Sequence, residues 1–291
     1  MPDSSVDRFT EKKANLRVSA EFFPPKRSDE GAGVYDAAKR LAAFAPDFFS
    51  VTYGAGGGTR DMTAKTARDL QALFGVPAAA HITCVGQDKA SILRLAEEHK
   101  GAGVERLVAL RGDMPNMETP FRPHPEGFCH TAELVAALKE THDFDISVAA
   151  FPETHPEAPS PEDDVAFLKE KLDAGAARAI TQFCFNGETI LRFMDACLAA
   201  GIDKPIVPGI MPIRDFAGLK RFADRCGATM PKEMETLFLS VKNEAEARAA
   251  AVEVALSQCM FLHERGVSQF HFYCLNKADP TESVWRRLLQ R

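Results

Sequence analysis

The chain has 291 residues, 45% hydrophobic and 26% charged, which suits a globular protein with a sizeable core and excludes a disordered or low-complexity one. A formal net charge of -6, with 35 basic residues scattered along the chain, argues against nucleic acid as a partner. No apolar run is long enough to span a bilayer, and residues 1–16 form a polar tail without signal-peptide order, so a cytoplasmic protein is expected and no membrane partner.

In chain order, the first β-type run is RVSAEFF at 17–23, and it carries Glu21 inside an otherwise apolar stretch. An unpaired carboxylate in a core is costly, so Glu21 is paired, protonated or facing a polar cavity. The second run, FFSVTYG (48–54), leads into GAGGGT at 54–59. That loop is a weak phosphate signal, because Thr59 stands at the third fingerprint position, and it reads equally well as a small flexible βα loop. AAAHITC (78–84) follows, then RLVALRG (106–112), which runs into an Arg-Gly-Asp at 111–113. A cation beside a carboxylate at a strand end suits an anionic or polar heterocyclic ligand.

After DISVAAF (145–151), the loop FPETHPEA brings Glu153, His155 and Glu157 close together in sequence, but no second ligand cluster accompanies them. A hydrogen-bonding loop histidine is therefore favoured over a metal site, and no metal is expected. RAITQFC (178–184) buries Gln182, an amide that needs partners from the core or from a ligand. PIVPGIM (205–211) and SQFHFYC (268–274) complete eight candidate strands. The seven cysteines are odd in number and show no CxxC pairing, so they read as reduced thiols in the core; Cys84 and Cys274, at strand ends, are weak candidates for a nucleophile.

Between the strands lie amphipathic stretches such as ASILRLAEEH, TAELVAALKE and ILRFMDACLAAG, several of them ending in glycine. Strict strand-helix alternation implies a parallel sheet, and eight repeats close a (β/α)₈ TIM barrel. Residues 17–291 are expected to form this single domain, with extra helices inserted between strands seven and eight from Ala217 to Arg265. Barrel active sites lie at the C-terminal ends of the strands. Polar residues collect there: Glu21, Thr52, Tyr53, His81, Thr83, Arg111, Asp113, Glu153, His155, Gln182, a turn at 209–212, then Tyr273, Asn276 and Lys277.

The motifs EFFPPK, SVTYGAGG, HITC, ALRGDMP, DISVAAFPETHPEA, LKEKLDAGAARAITQF, PGIMPI and FHFYCLNKA, in this order, resemble the bacterial-type methylenetetrahydrofolate reductase family from about residue 17 to 277. The resemblance implies a barrel that binds FAD without a Rossmann fingerprint. It further implies NADH or NADPH as electron donor and methylenetetrahydrofolate as acceptor, by a ping-pong order on one shared site, in a homo-oligomer. It makes Glu21 the acid that helps open the folate ring at N10. An apolar wall from Phe22 and Phe23 would then hold its carboxyl protonated. Asp113 is implied near both flavin and pterin, Gln182 as a folate hydrogen-bonding residue, Phe222 as an aromatic against substrate, and Lys277 as a folate contact. The implied flavin contacts are Thr52, Tyr53, Ala55, His81, Arg111, Gly112, Asp113, Thr131, Phe151, His155, Ala158, Asp164 and Lys171.

Three places depart from the family's commoner pattern. Phe151 stands where tyrosine is usual, His130-Thr131 where Tyr-Ala is usual, and Lys277 where arginine is usual. Phe151 loses a hydroxyl, and Lys277 replaces a planar fork with a point charge. Because the chain ends soon after the eighth strand, control by S-adenosylmethionine is not expected. Two other readings compete: a tetrahydrofolate-dependent methyl transferase or demethylase on the same barrel without FAD, and a non-catalytic flavin or folate carrier.

Overall fold

A computed structural model of the chain describes residues 16–25, 32–54, 60–114, 121–213 and 215–289. Among the described residues nine strands form one parallel sheet: β1 (Arg17–Phe22), β2 (Phe49–Val51), β3 (Ala78–Thr83), β4 (Arg106–Leu110), β5 (Asp145–Ala150), β6 (Arg178–Thr181), β7 (Ile206–Val207), β8 (Gly209–Ile210) and β9 (Gln269–Tyr273). Their order is β7-β6-β5-β4-β3-β2-β1-β9-β8. β7 and β8 are two halves of the expected seventh strand, split at Pro208, which has no N–H to give to a ladder. β7 pairs with β6 and β8 with β9, so the ring is completed through this one broken strand. Residues 209–210 are therefore strand rather than the turn expected there. Gly209 is required at the break, since a Cβ there would meet the Thr181 carbonyl oxygen at 2.1 Å.

The helices between the strands are α1 (Ala32–Ala42), α2 (Arg60–Phe74), α3 (Lys89–Gly101), α4 (Thr131–Thr141), α5 (Pro161–Asp173) and α6 (Gly187–Ala199). The expected insertion is present as α7 (Phe216–Cys226), α8 (Lys232–Ser240) and α9 (Glu244–His263), and α10 (Thr281–Leu289) follows β9. Their starts are written in the sequence. Asp88, Ser160, Asn186 and Asn243 each accept a hydrogen bond from a backbone N–H of the first turn, and Pro161 sits where its missing N–H costs nothing.

Strand alternation sorts the side chains into two shells. Phe22, Phe49, Ala80, Leu107, Ile146 and Ala179 point outward and pack under the helices in the main core. Phe48, Ala79, Val108, Ile180 and Val207 form a separate apolar plug inside the barrel. At the N-terminal end the plug is closed by ion pairs, Arg17 with Asp47 and Arg178 with Asp145. The interior turns polar again toward the C-terminal ends of the strands, and the chemistry-bearing residues gather there. Leu16, last residue of the expected tail, packs partly buried against the core; the rest of the tail lies outside the described residues.

Candidate active site

Glu21 is the last inward-facing residue of β1, and its burial is paired rather than apolar. Its Oε2 lies 3.3 Å from His81 Nε2 on β3 and 3.9 Å from His271 Nε2 on β9. Phe22 points to the opposite face, edge-on to Phe49 with ring centroids 5.1 Å apart, and Phe23 is 44% exposed. The expected apolar wall is therefore absent, because successive residues of a strand face opposite sides. Burial alone would push the Glu21 carboxyl up, but the neighbouring imidazoles of His271 and His81 favour its charged form, outweigh burial and hold the group at about 2. The expectation of a carboxyl kept protonated by its surroundings is overturned: alone at neutral pH, Glu21 is a carboxylate.

His271 and Ser19 are not among the residues that the sequence reading singles out, which among the strand and loop histidines picks His81 and His155. The signal was present, since a histidine in a strand buried on both faces poses the same problem as Glu21. His271 is fully buried and stacked on Phe48, with ring centroids 5.6 Å apart. Parallel pairing of β1 with β9 sets Ser19 beside His271 and Glu21 beside Tyr273. Ser19 Oγ is 2.7 Å from His271 Nδ1, and Ser50 Oγ is 3.4 Å from Nε2.

The loop after β9 holds this corner in place. Asn276 accepts from Phe23 N at 2.7 Å and donates to Phe23 O at 2.8 Å, and Cys274 Sγ donates to the Glu21 carbonyl at 2.8 Å. Burial pushes both the Cys84 and Cys274 thiols up to about 12, which removes them as nucleophiles.

A second group forms around β4, β5 and α5. Lys171 and Asp164 lie on one face of α5; Lys171 Nζ donates to Ala149 O at 2.6 Å, and Asp164 accepts from His155 N at 2.9 Å. Burial lowers Lys171 to about 8 against the opposing pull of Asp164. Burial and the nearby Arg111 also lower His155, whose Nδ1 accepts from Glu157 N at 3.0 Å and whose ring meets Phe151 edge-on at 4.6 Å. Arg111 pairs with Glu157 and lies over the Phe121 ring at 4.8 Å. Glu153, raised above as one of a metal-like trio, instead accepts from Thr229 N with both oxygens and so ties the β5 loop to the segment after α7. Among the described residues no group of three or more His, Cys, Asp or Glu is arranged to hold a metal ion.

The other expected site residues follow the ends of neighbouring strands. Thr52 donates its N–H to Phe22 O, and Tyr53 accepts at its hydroxyl from Gln87 at 3.0 Å. Gly112 adopts φ +83, Thr131 opens α4, and Ala158 donates its N–H to His155 O. Gln182 accepts from Phe183 N, while Asp113 and Lys277 are exposed at the same end of the barrel. Among the described residues, no side-chain hydrogen bond or ion pair joins Asp113, Gln182 or Lys277 to Glu21. Ala55 lies outside the described residues, as does the rest of the glycine loop at 55–59. Phe222 falls on α7, and its side chain lies outside the described residues.

These features define a (β/α)₈ barrel with an acid-imidazole group and a separate cationic group at the end where barrel enzymes hold their active sites. A family model described as methylenetetrahydrofolate reductase matches residues 6–289. The chain is 42% identical to a 5,10-methylenetetrahydrofolate reductase of Salmonella typhimurium over 279 residues, covering 96% of this chain and 92% of that protein. It is 40% identical to one of Escherichia coli over 287 residues, covering 98% and 95%. Against the protein of Arabidopsis thaliana named methylenetetrahydrofolate reductase (NADH) 1, identity is 34% over 270 residues, covering 89% of this chain and 46% of that protein. Among solved structures, a Clostridium thermocellum protein described as binding two copies of 5-methyl-5,6,7,8-tetrahydrofolic acid shares the fold, with TM-score 0.65, 14% identity and coverage of 96% and 95%.

The chain belongs to the methylenetetrahydrofolate reductase family and reduces 5,10-methylenetetrahydrofolate to 5-methyltetrahydrofolate. The methyl transferase and carrier readings are thereby set aside.

Proposed function

We propose that the chain performs this reduction as an FAD enzyme, taking electrons from NADH or NADPH and serving donor and folate in turn on one site. The observation that carries the reading is the pairing of a buried carboxylate, Glu21, with two imidazoles at the catalytic end of the barrel. The residues present fit a flavin nucleotide. Arg111 and Lys171 bring two cations to neighbouring strand ends, suited to phosphates. The buried His81 Nε2 and Thr83 Oγ1 have no hydrogen-bond partner among the described residues, an arrangement that suits a polar ring edge. When bound, FAD supplies two-electron transfer between the donor and the folate.

Thr52, Tyr53, Ala55, His81, Arg111, Gly112, Asp113, Thr131, Phe151, His155, Ala158, Asp164 and Lys171 would hold it. Asp113, Gln182, Phe222 and Lys277 would orient the folate, Gln182 by offering both a donor and an acceptor to the pterin edge. Glu21 passes a proton to N10 of the folate. The N10–methylene bond then breaks with its electron pair remaining on N10, and the N5 lone pair forms the iminium that accepts the hydride. The proposal extends to a homo-oligomer working in the cytoplasm, with residues 17–291 as one domain. Among the described residues no helix is long and apolar enough to cross a membrane.

The test separates the two half-reactions. Glu21→Gln is expected to keep flavin reduction by NADH and to lose reoxidation by methylenetetrahydrofolate, by roughly 10²-fold or more. Both are read from flavin absorbance under anaerobic conditions. Normal reoxidation in that variant refutes the acid role.

A further inference from the structure

Glu21 is held as a carboxylate, yet the reaction consumes one proton at N10, so that proton is stored on another group. Two imidazoles flank the carboxylate, His81 from β3 and His271 from β9, and Ser50 of β2 pairs with Glu21 in register. The two histidines differ in how their nitrogens are served. His81 Nε2 is close to Glu21 but aligned with no hydrogen-bond partner among the described residues. His271 has a hydroxyl at each nitrogen, Ser19 at Nδ1 and Ser50 at Nε2.

Ser19 has a further property. Its hydroxyl also lies 3.5 Å from the Phe270 carbonyl oxygen. When Nδ1 is bare, Ser19 donates to it; when Nδ1 carries a proton, Ser19 accepts that proton's hydrogen bond and turns its own toward Phe270 O. The imidazole is thus hydrogen-bonded in both charge states without moving, although it is fully buried.

We infer that His271, set by Ser19, is a positioning residue that stores the proton of the folate half-reaction and passes it to Glu21. This rests on the reading of Glu21 as the acid. The transfer balances: the His271 Nε2–H bond breaks as a Glu21 Oε2–H bond forms, Glu21 releases the same proton to N10, and solvent restores it to His271 during turnover. The 3.9 Å between Nε2 and Oε2 exceeds a hydrogen bond, so the transfer needs a small swing of the carboxylate or relay through the Ser50 hydroxyl, whose residue pairs in register with Glu21.

Other groups facing His271 are Glu21 and Ser19 from β1, Phe48 just before β2, Ser50 from β2, and Tyr273 from β9, whose hydroxyl donates to Thr181 O; His81 from β3 lies on the same carboxylate. Below Ser19 and Phe48, Arg17, Asp47, Arg106 and Arg178 line a small cavity at the closed end of the barrel.

The experiment follows NADH-reduced flavin as methylenetetrahydrofolate reoxidises it, between about pH 6 and 9, in wild type, Glu21→Gln, His271→Gln and Ser19→Ala. The expected result is a reoxidation rate roughly tenfold or more lower in His271→Gln near neutral pH, with the fall of rate toward alkaline pH displaced in Ser19→Ala. In parallel, nitrogen-15 NMR of labelled histidines is expected to show a changed protonation or tautomer signature for His271 in Ser19→Ala. Because His271 is fully buried, its glutamine variant risks misfolding; Ser19→Ala retains the imidazole and decides the matter if the glutamine variant does not fold. A wild-type rate and pH profile in both variants, with Glu21→Gln still inactive toward folate, overturns the inference and leaves the acid role standing. A normal folate half-reaction in Glu21→Gln overturns the acid role itself.

Discussion

At the scale of single residues, the clearest result concerns Glu21, whose charged form is favoured by two imidazoles strongly enough to overcome burial. With the ordinary value at 4.5 and the folded value at about 2, the folded chain binds fewer protons than the unfolded chain between those limits. The pairing therefore stabilises the fold above pH 4.5 and is lost as pH falls toward 2, an effect on the order of 3 kcal/mol at most. Urea midpoints between these values are expected to fall more steeply with acid in wild type than in Glu21→Gln; equal slopes contradict the pairing. Lys171 works in the opposite sense. Its burial as a cation is a cost below pH 8, so Lys171→Met is expected to stabilise the FAD-free protein while weakening FAD retention. Ultrafiltration with flavin absorbance measures the second effect, and undiminished retention removes Lys171 from the cofactor site. That Glu21 needed a partner was legible in its own sequence neighbourhood, but the identity of the partner was not. His81 and His271 are 60 and 250 residues away along the chain, and only strand pairing brings them together.

At the scale of elements, the broken seventh strand and the loop after β9 shape the site more than any helix does. Pro208 and Gly209 divide one strand into two short ladders, which lets β6 and β9 approach the same segment from either side. The loop after β9 turns through two left-handed residues, Leu275 at φ 50 and Asn276 at φ 57, and the Asn276 amide then clamps Phe23. Asn276→Ala loses both hydrogen bonds and keeps the unfavourable backbone, so a loss of about 2–4 kcal/mol is expected in urea unfolding. Asn276→Gly loses the bonds but relieves the backbone, and should be the more stable of the two by about 1 kcal/mol. Equal losses refute the backbone contribution. The eight β-type runs and the inserted helices were readable because periodicity and capping are local properties. The break at Pro208 was half-readable, since a proline argues against an interior strand position but does not say which neighbours each half will take.

At the scale of the whole molecule, one apolar shell between strands and helices holds the barrel, and a smaller plug fills its interior. Trp285 on α10, the single tryptophan of the chain, is fully buried against Phe44 and Phe272 at 6.0 and 5.6 Å. Trp285→Ala should cost about 3–5 kcal/mol, measured by chemical unfolding; a change near zero means that α10 is not part of the cooperative unit. By itself, the sequence determined the barrel, the order of its strands, the family and the end at which polar residues collect, because each depends on pattern along the chain. Only the tertiary structure decided that Glu21 is ionised rather than protonated, and that Ser19 and His271 stand behind it. Protonation depends on what lies within a few ångströms, and in a barrel those neighbours are supplied by strands from both ends of the sequence.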